Sequence, residues 1–133
     1  MKNEINRMVG FSLIELMVVI AIIAILTAVI APTFQQQLRE VRRSDGQTKL
    51  MEVQANMERY IFDNAAYPTG LAQMSAYSTN VVDSEEEHYK VSIKTAAGCA
   101  ATSCYQLQAI AQGGQAEDGD LELHSNGTKV GNW

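Results

Sequence analysis

The feature that most constrains this 133-residue chain is a long apolar run close to its beginning. Within residues 11–31 only Ser12, Glu15 and Thr27 are polar. As an α-helix the run would measure roughly 32 Å, which is enough to cross a hydrocarbon core of about 30 Å. The run therefore predicts one membrane-spanning helix and leaves about 100 residues for a single small folded domain.

Residues 1–10 resemble a leader, although their arrangement is not that of an ordinary secretory signal. An ordinary signal is cut at a small residue after its apolar region, whereas here the small residue, Gly10, comes before it. Cleavage at Gly10 would leave the apolar helix on the mature protein. Basic residues lie on both sides of the run, so charge alone does not decide which side of the membrane the N-terminus occupies.

The helical pattern continues past Pro32 to about residue 64 and then meets a turn-rich segment, residues 67–70. Pro32 lacks a backbone donor and predicts a kink. Apolar residues recur at helical spacing in two stripes: Phe34, Leu38 and Val41, then Leu50, Val53, Met57, Tyr60 and Ile61. These patterns predict one helix over residues 11–64.

Beyond the helix, residues 71–87 predict a loop, and alternating apolar residues then predict strands. The alternation covers residues 89–94 and 105–111, Leu121 and Leu123 mark a third strand, and Asn126-Gly127 indicates a turn into a final strand or tail at residues 129–133. The predicted fold is α+β: a long N-terminal helix whose C-terminal half packs on an antiparallel sheet of three or four strands.

The segment Gly10-Phe11-Ser12-Leu13-Ile14-Glu15, followed by apolar residues up to Pro32, resembles the class III signal of type IV prepilins. The resemblance implies a type IV pilin fold and cleavage between Gly10 and Phe11 by a prepilin peptidase. It also implies methylation of the new Phe11 amino group. The chain departs from the family pattern at Ala24, where many members have glycine, and at Val9, where a basic residue is common.

Glu15 has two interpretations. A carboxylate near the apolar part of a bilayer is costly, and the resemblance implies that it pairs with the Phe11 amino group of a neighbouring subunit and so recruits the new subunit in register. Alternatively, Glu15 reaches the membrane interface or stabilises the start of its own helix. The resemblance also implies local melting of the helix before Pro32.

The C-terminal half contains Tyr67-Pro68 after the helix, Leu121-Glu122-Leu123, Gly127, Lys129 and Trp133. In these residues it is similar to small minor pilins of the PilE type, although the cysteines of those relatives are missing from the corresponding regions. Cys99 and Cys104 lie close together, and in an exported domain they predict one disulfide worth roughly 2 kcal/mol. A reactive or metal-binding pair is the alternative.

Residues 117–120 superficially resemble a calcium loop, but a solvated turn is favoured because the alternating ligands of an EF-hand are missing. Asp83 and residues 85–87 predict a solvated acidic loop, with subunit contacts as the alternative.

The formal net charge of −5 argues against nucleic-acid binding through bulk charge. Arg39, Arg42 and Arg43 form a local basic cluster, for which a solvated helix face is favoured over subunit contacts or DNA binding. His88 and His124 stand apart in the sequence, and no phosphate-binding, nucleophile-elbow or zinc motif occurs. We therefore expect a non-enzymatic protein without a cofactor.

These patterns divide the chain into a leader (residues 1–10), a membrane and filament-core helix (11–31), its amphipathic continuation (32–64) and a globular head (65–133). The expected function is that of a minor subunit of a type IV pilus serving motility, adhesion or DNA uptake. Expected partners are other pilin subunits, the prepilin peptidase, an inner-membrane assembly platform and, before assembly, lipid. The expected location is the bacterial inner membrane, with a single span and the C-terminal part exported, and then the cell-surface fibre. The alternatives are a type II secretion pseudopilin and a single-span membrane enzyme or binding protein.

Overall fold

A single long helix begins the fold. The computed structural model describes residues 10–94, 98, 100 and 102–133, and for residues 31 and 32 the backbone alone. Helix α1 spans Leu13–Asn64 without interruption, which confirms the predicted helix to within two residues at its start. By length and composition α1 contains a stretch that could cross a membrane. The chain forms two compact units, one ending at Gln37 and one from Leu38 to Trp133, and α1 contributes to both.

The second unit contains an antiparallel sheet of five strands in sequential order, β1 to β5. The strands are β1 Val81–Asp83, β2 Tyr89–Lys94, β3 Gln106–Ala111, β4 Leu121–His124 and β5 Lys129–Val130. The α+β architecture is as predicted. The sheet has more strands than the expected three or four because β1 lies within the segment predicted to be a loop. At three residues, β1 is too short to show an alternating pattern.

The core of the second unit lies between α1 and one face of the sheet. Leu50, Val53 and Met57 are fully buried on α1, as the second apolar stripe predicts. They join a cluster that includes the alternate residues of three strands and the Leu71–Gln73 turn of 3₁₀ helix: Leu71, Tyr89, Val91, Leu107, Ala109, Leu121 and Leu123. The first apolar stripe does not join this core, since the Val41 side chain is exposed.

Gly46 allows the helix and sheet to approach closely. A Cβ atom at Gly46 would lie 2.6 Å from Cδ2 of Tyr89, which is closer than two carbon atoms can pack. Tyr89 is fully buried at the start of β2. The absence of a side chain at residue 46 therefore lets the Tyr89 ring lie directly against α1.

Candidate functional site

The N-terminal residues singled out by the sequence lie at the beginning of α1. Gly10 and Phe11 are exposed and precede the helix, and Glu15 is in its first turn. The amides of Glu15 and Leu16 both donate to the carbonyl of Ser12, at 3.1 and 3.2 Å, and so begin the helical bonding. The Gly10–Phe11 bond is thus outside the helix and next to an apolar segment whose side chains are exposed.

Two further sequence predictions stay predictions. Helix α1 continues through residue 32, and the kink expected at Pro32 stays a prediction. The predicted disulfide involves Cys99, which lies outside the described residues. Cys104, just before β3, is described.

The arginine cluster makes contacts that the sequence prediction missed. Arg43 donates from Nε and Nη2 to the two carboxylate oxygens of Asp118, at 2.7 and 2.5 Å. Arg39 Nη1 lies 2.8 Å from Glu117. The favoured interpretation, a solvated helix face, is therefore wrong for Arg43, whose side chain is only 21% exposed.

In the acidic turn, Glu117 and Asp120 are exposed as predicted, but Asp118 is not solvated. Asp118 ends the 3₁₀ helix Gly113–Asp118, and its side chain is only 8% exposed. Besides Arg43, it accepts hydrogen bonds from Gln115 Nε2 at 2.9 Å and Asn132 Nδ2 at 3.3 Å. The Arg43 guanidinium, through its hydrogen bonds, lowers the pKa of the Asp118 carboxyl and has its own pKa raised in return.

Gln115 connects this ion pair to the core. Its side chain is buried, and its amide nitrogen also lies 3.1 Å from the backbone carbonyl of Arg39 and 3.1 Å from the hydroxyl of Tyr89. Residues 113–118 are thereby bound to α1 at Arg39 and Arg43. Asp118 already has a cation, an arginine, as its partner, so the carboxylate that would anchor a calcium loop is engaged within the chain.

Acidic residues of the second unit are concentrated at one end. We call the end where α1 residues 39–46 meet the β1–β2 connection and residues 113–120 the acidic end. The Glu86 amide there lies 3.4 Å from Asp45 Oδ1, and Asp120 accepts from the Ala111 amide at 3.0 Å. This end has eight carboxylates and three arginines: Glu40, Asp45, Glu85, Glu86, Glu87, Glu117, Asp118 and Asp120, with Arg39, Arg42 and Arg43.

The opposite end has no charge on its connecting segments, and we call it the neutral end. It consists of residues 65–70, 102–105 and 125–128, none of which has a charged side chain. Backbone hydrogen bonds join the three segments, from the Tyr67 amide to the Thr102 carbonyl at 2.9 Å and from the Ser125 amide to the Tyr105 carbonyl at 3.0 Å.

Three cations border the neutral end: Arg59 on α1, Lys94 at the end of β2 and Lys129 at the start of β5. Lys94 pairs with Glu122 at 2.7 Å. Within the part of the chain that the structure describes, no carboxylate lies within ion-pair distance of Arg59 or Lys129. The Lys129 ammonium lies 4.4 Å from the centre of the Trp133 ring, which follows Asn132 and so lies toward the acidic end, where Asn132 bonds to Asp118. This end thus has uncharged connecting segments, and it is bordered by three carboxylates, Glu58, Asp63 and Glu122, as well as by the three cations.

Two family models match the chain. The model described as "Type IV minor pilin ComP, DNA uptake sequence receptor" matches residues 32–122. The model described as "Prokaryotic N-terminal methylation motif" matches residues 10–31. The second match covers the residues on which the prepilin resemblance rests.

Three curated relatives are described as core protein G of the type II secretion system. The chain is 25% identical over 88 residues to the type II secretion system core protein G of Vibrio cholerae, covering 66% of this chain and 60% of that protein. It is 31% identical over 64 residues to core protein G of Klebsiella pneumoniae, covering 48% of this chain and 46% of the relative. The matches therefore span less than two thirds of these relatives' own lengths. No solved structure matches the chain significantly.

Proposed function

This chain belongs to the family of the type IV minor pilin ComP, and on that premise we propose that it binds double-stranded DNA at the pilus surface during DNA uptake. The match to the ComP model over residues 32–122 carries this proposal. As a minor pilin, the protein assembles with other pilin subunits. Its DNA-binding role would explain why a mechanical subunit keeps a distinct head.

The charge segregation supports the neutral end as the DNA-binding surface. DNA carries a dense negative charge, and a protein binds it by replacing counterions with lysine and arginine side chains. The acidic end, with eight carboxylates against three arginines, would repel the phosphates. Among the described residues no carboxylate lies within ion-pair distance of Arg59 or Lys129, so both cations could contact phosphate locally despite a net charge of −5.

Fluorescence anisotropy with a labelled duplex and the full chain in detergent micelles tests this function. We expect measurable binding at low salt. Arg59→Gln and Lys129→Gln should each weaken it about threefold and reduce the salt dependence by about one counterion. Lys90→Gln is the matched control, because Lys90 pairs with Asp83 on the acidic side of the sheet and its removal should have little effect. A chain that binds no duplex at low salt refutes the proposal.

We also propose maturation and assembly as the prepilin signal implies. A prepilin peptidase would cut the exposed Gly10–Phe11 bond and methylate Phe11, and an inner-membrane platform would move the subunit from lipid into the fibre. Glu15 would recruit the subunit by pairing with the Phe11 amino group of its neighbour. Mass spectrometry of sheared fibres tests this maturation, and a chain in the fibres that keeps residues 1–10 contradicts it.

A pseudopilin of type II secretion is the second candidate, favoured by the three core protein G relatives. The pilus role is preferred because the family model described as a type IV minor pilin matches residues 32–122. A deletion strain separates the two functions. Loss of DNA uptake with normal exoprotein secretion supports the pilus role, whereas loss of secretion with normal uptake supports the pseudopilin.

A further inference from the structure

Glu58 connects α1 to two segments of the neutral end. The Tyr105 hydroxyl donates to its Oε1 at 2.9 Å, and the Tyr67 hydroxyl lies 3.1 Å from both of its carboxylate oxygens. The two rings meet edge to face, with their centres 4.7 Å apart. Burial, and then the hydrogen bond to Glu58, raise the pKa of both phenols, so these phenols keep their protons at neutral pH and remain donors.

The same residues hold the backbone of the neutral end. Tyr67 donates its amide to the Thr102 carbonyl, and Tyr105 accepts from the Ser125 amide. Glu58 therefore accepts hydrogen bonds from two tyrosines, and each tyrosine is bonded to a second segment. Tyr105 is also hydrogen-bonded to Gln54 of α1. All three segments of the neutral end depend on this arrangement, whereas no described contact to them comes from Asp63, another acidic residue of the last α1 turns.

Charge alone would make Glu58 unfavourable at this place. An acidic side chain beside a DNA-binding surface repels phosphate, so its removal should strengthen DNA binding if it did nothing else. Its contacts indicate the opposite. We propose that Glu58 is a positioning residue for DNA binding: through Tyr67 and Tyr105 it holds the neutral end in the shape that the duplex meets. This inference rests on the proposed DNA-binding function.

Charge repulsion by Glu58 and positioning by Glu58 predict opposite changes in the dissociation constant for DNA when Glu58 is removed. With the full chain in detergent and a labelled duplex, Glu58→Ala should raise the dissociation constant about tenfold, because the binding-competent shape becomes a minor population. The control Asp63→Ala removes the same charge nearby and should lower the dissociation constant by roughly twofold. Glu58→Gln, which keeps an acceptor oxygen, should recover part of the affinity.

A second variant and a second readout separate positioning from general destabilisation. Tyr67→Phe removes one hydroxyl, keeps the ring and should weaken DNA binding about threefold while the urea midpoint changes little. Hydrogen exchange of the amides at residues 102–105 should become about tenfold faster in Glu58→Ala, with exchange in β3 unchanged.

The outcomes are distinguishable. If the unaltered chain binds no duplex, the proposed function fails and this inference fails with it. If the unaltered chain binds and Glu58→Ala binds equally well or more tightly, the inference alone is overturned. Faster exchange throughout the sheet in both Glu58→Ala and Tyr67→Phe would also overturn it, since the residues would then act on stability alone.

Discussion

Replacing Arg43 by alanine tests whether the ion pair with Asp118 holds residues 113–120 and the C-terminal segment onto α1. The pair is joined by two hydrogen bonds, at 2.7 and 2.5 Å, between side chains that are 21% and 8% exposed. Without Arg43, the Asp118 carboxylate would keep only the amide donors of Gln115 and Asn132.

The expected magnitude follows from that geometry. Removing one partner of a buried pair usually costs about 3–5 kcal/mol, because a charge is left without compensation. The two remaining amide donors offset part of this cost, so we expect a loss of about 3 kcal/mol. Since a small domain has a urea dependence near 1.5 kcal/mol per molar, the unfolding midpoint should fall by about 2 M.

Tryptophan fluorescence during urea unfolding measures this midpoint. Trp133 is the single tryptophan, and the neighbouring Asn132 side chain bonds to Asp118, so the probe lies beside the perturbed site. Arg39→Ala is the matched control, four residues earlier on the same helix. Its partner Glu117 is 75% exposed, and an exposed pair contributes less than about 1 kcal/mol.

Two results would refute the reasoning. Equal losses for Arg43→Ala and Arg39→Ala would mean that burial of the Asp118 pair adds nothing. The second result comes from the double variant. Adding Asp118→Asn to Arg43→Ala should restore about 1 kcal/mol of stability, because Asp118→Asn removes the uncompensated charge. A further loss in the double variant would mean that the Asp118 charge is not the origin of the effect.

The remaining predictions concern pH, packing and assembly. Arg43 lowers the pKa of folded Asp118, so the stability that this carboxylate contributes is present above its unfolded pKa of about 4 and is lost as the pH falls through the folded pKa. Between pH 5, 3 and 2 the urea midpoint should therefore fall less for Asp118→Asn than for the unaltered chain. Parallel losses in the two proteins would contradict this. Gly46→Ala would ordinarily stabilise a helix by about 1 kcal/mol, but the new Cβ meets the Tyr89 ring at 2.6 Å, so we expect a loss of about 1–3 kcal/mol. Gly114→Ala is the control in the same urea assay, because a Cβ atom at residue 114 would lie 3.7 Å from Nη1 of Arg42, an ordinary contact distance. Glu15→Ala should insert into the membrane yet be depleted from sheared fibres in immunoblots, and normal incorporation would exclude the recruitment role.

The sequence by itself determined the elements that depend on local pattern. The apolar run of residues 11–31 and the stripe at Leu50, Val53 and Met57 predicted helix α1 and its buried face, because helical periodicity places those residues together. Alternation did the same for β2, β3 and β4. The segment from Gly10 to Glu15 identified the prepilin signal, because that signal is a short continuous stretch of sequence.

The tertiary structure decided what depends on residues far apart in the chain. Arg43 and Asp118 are 75 positions apart, and each alone has the pattern of a solvated surface residue. Glu58 and Tyr105 are 47 positions apart, and no periodicity links a helical carboxylate to a phenol before a strand. The packing of the sheet on α1 brings these groups together, because burial of the apolar stripe fixes which strand ends meet which helical turn. The separation of an acidic end from a neutral end follows from that same packing.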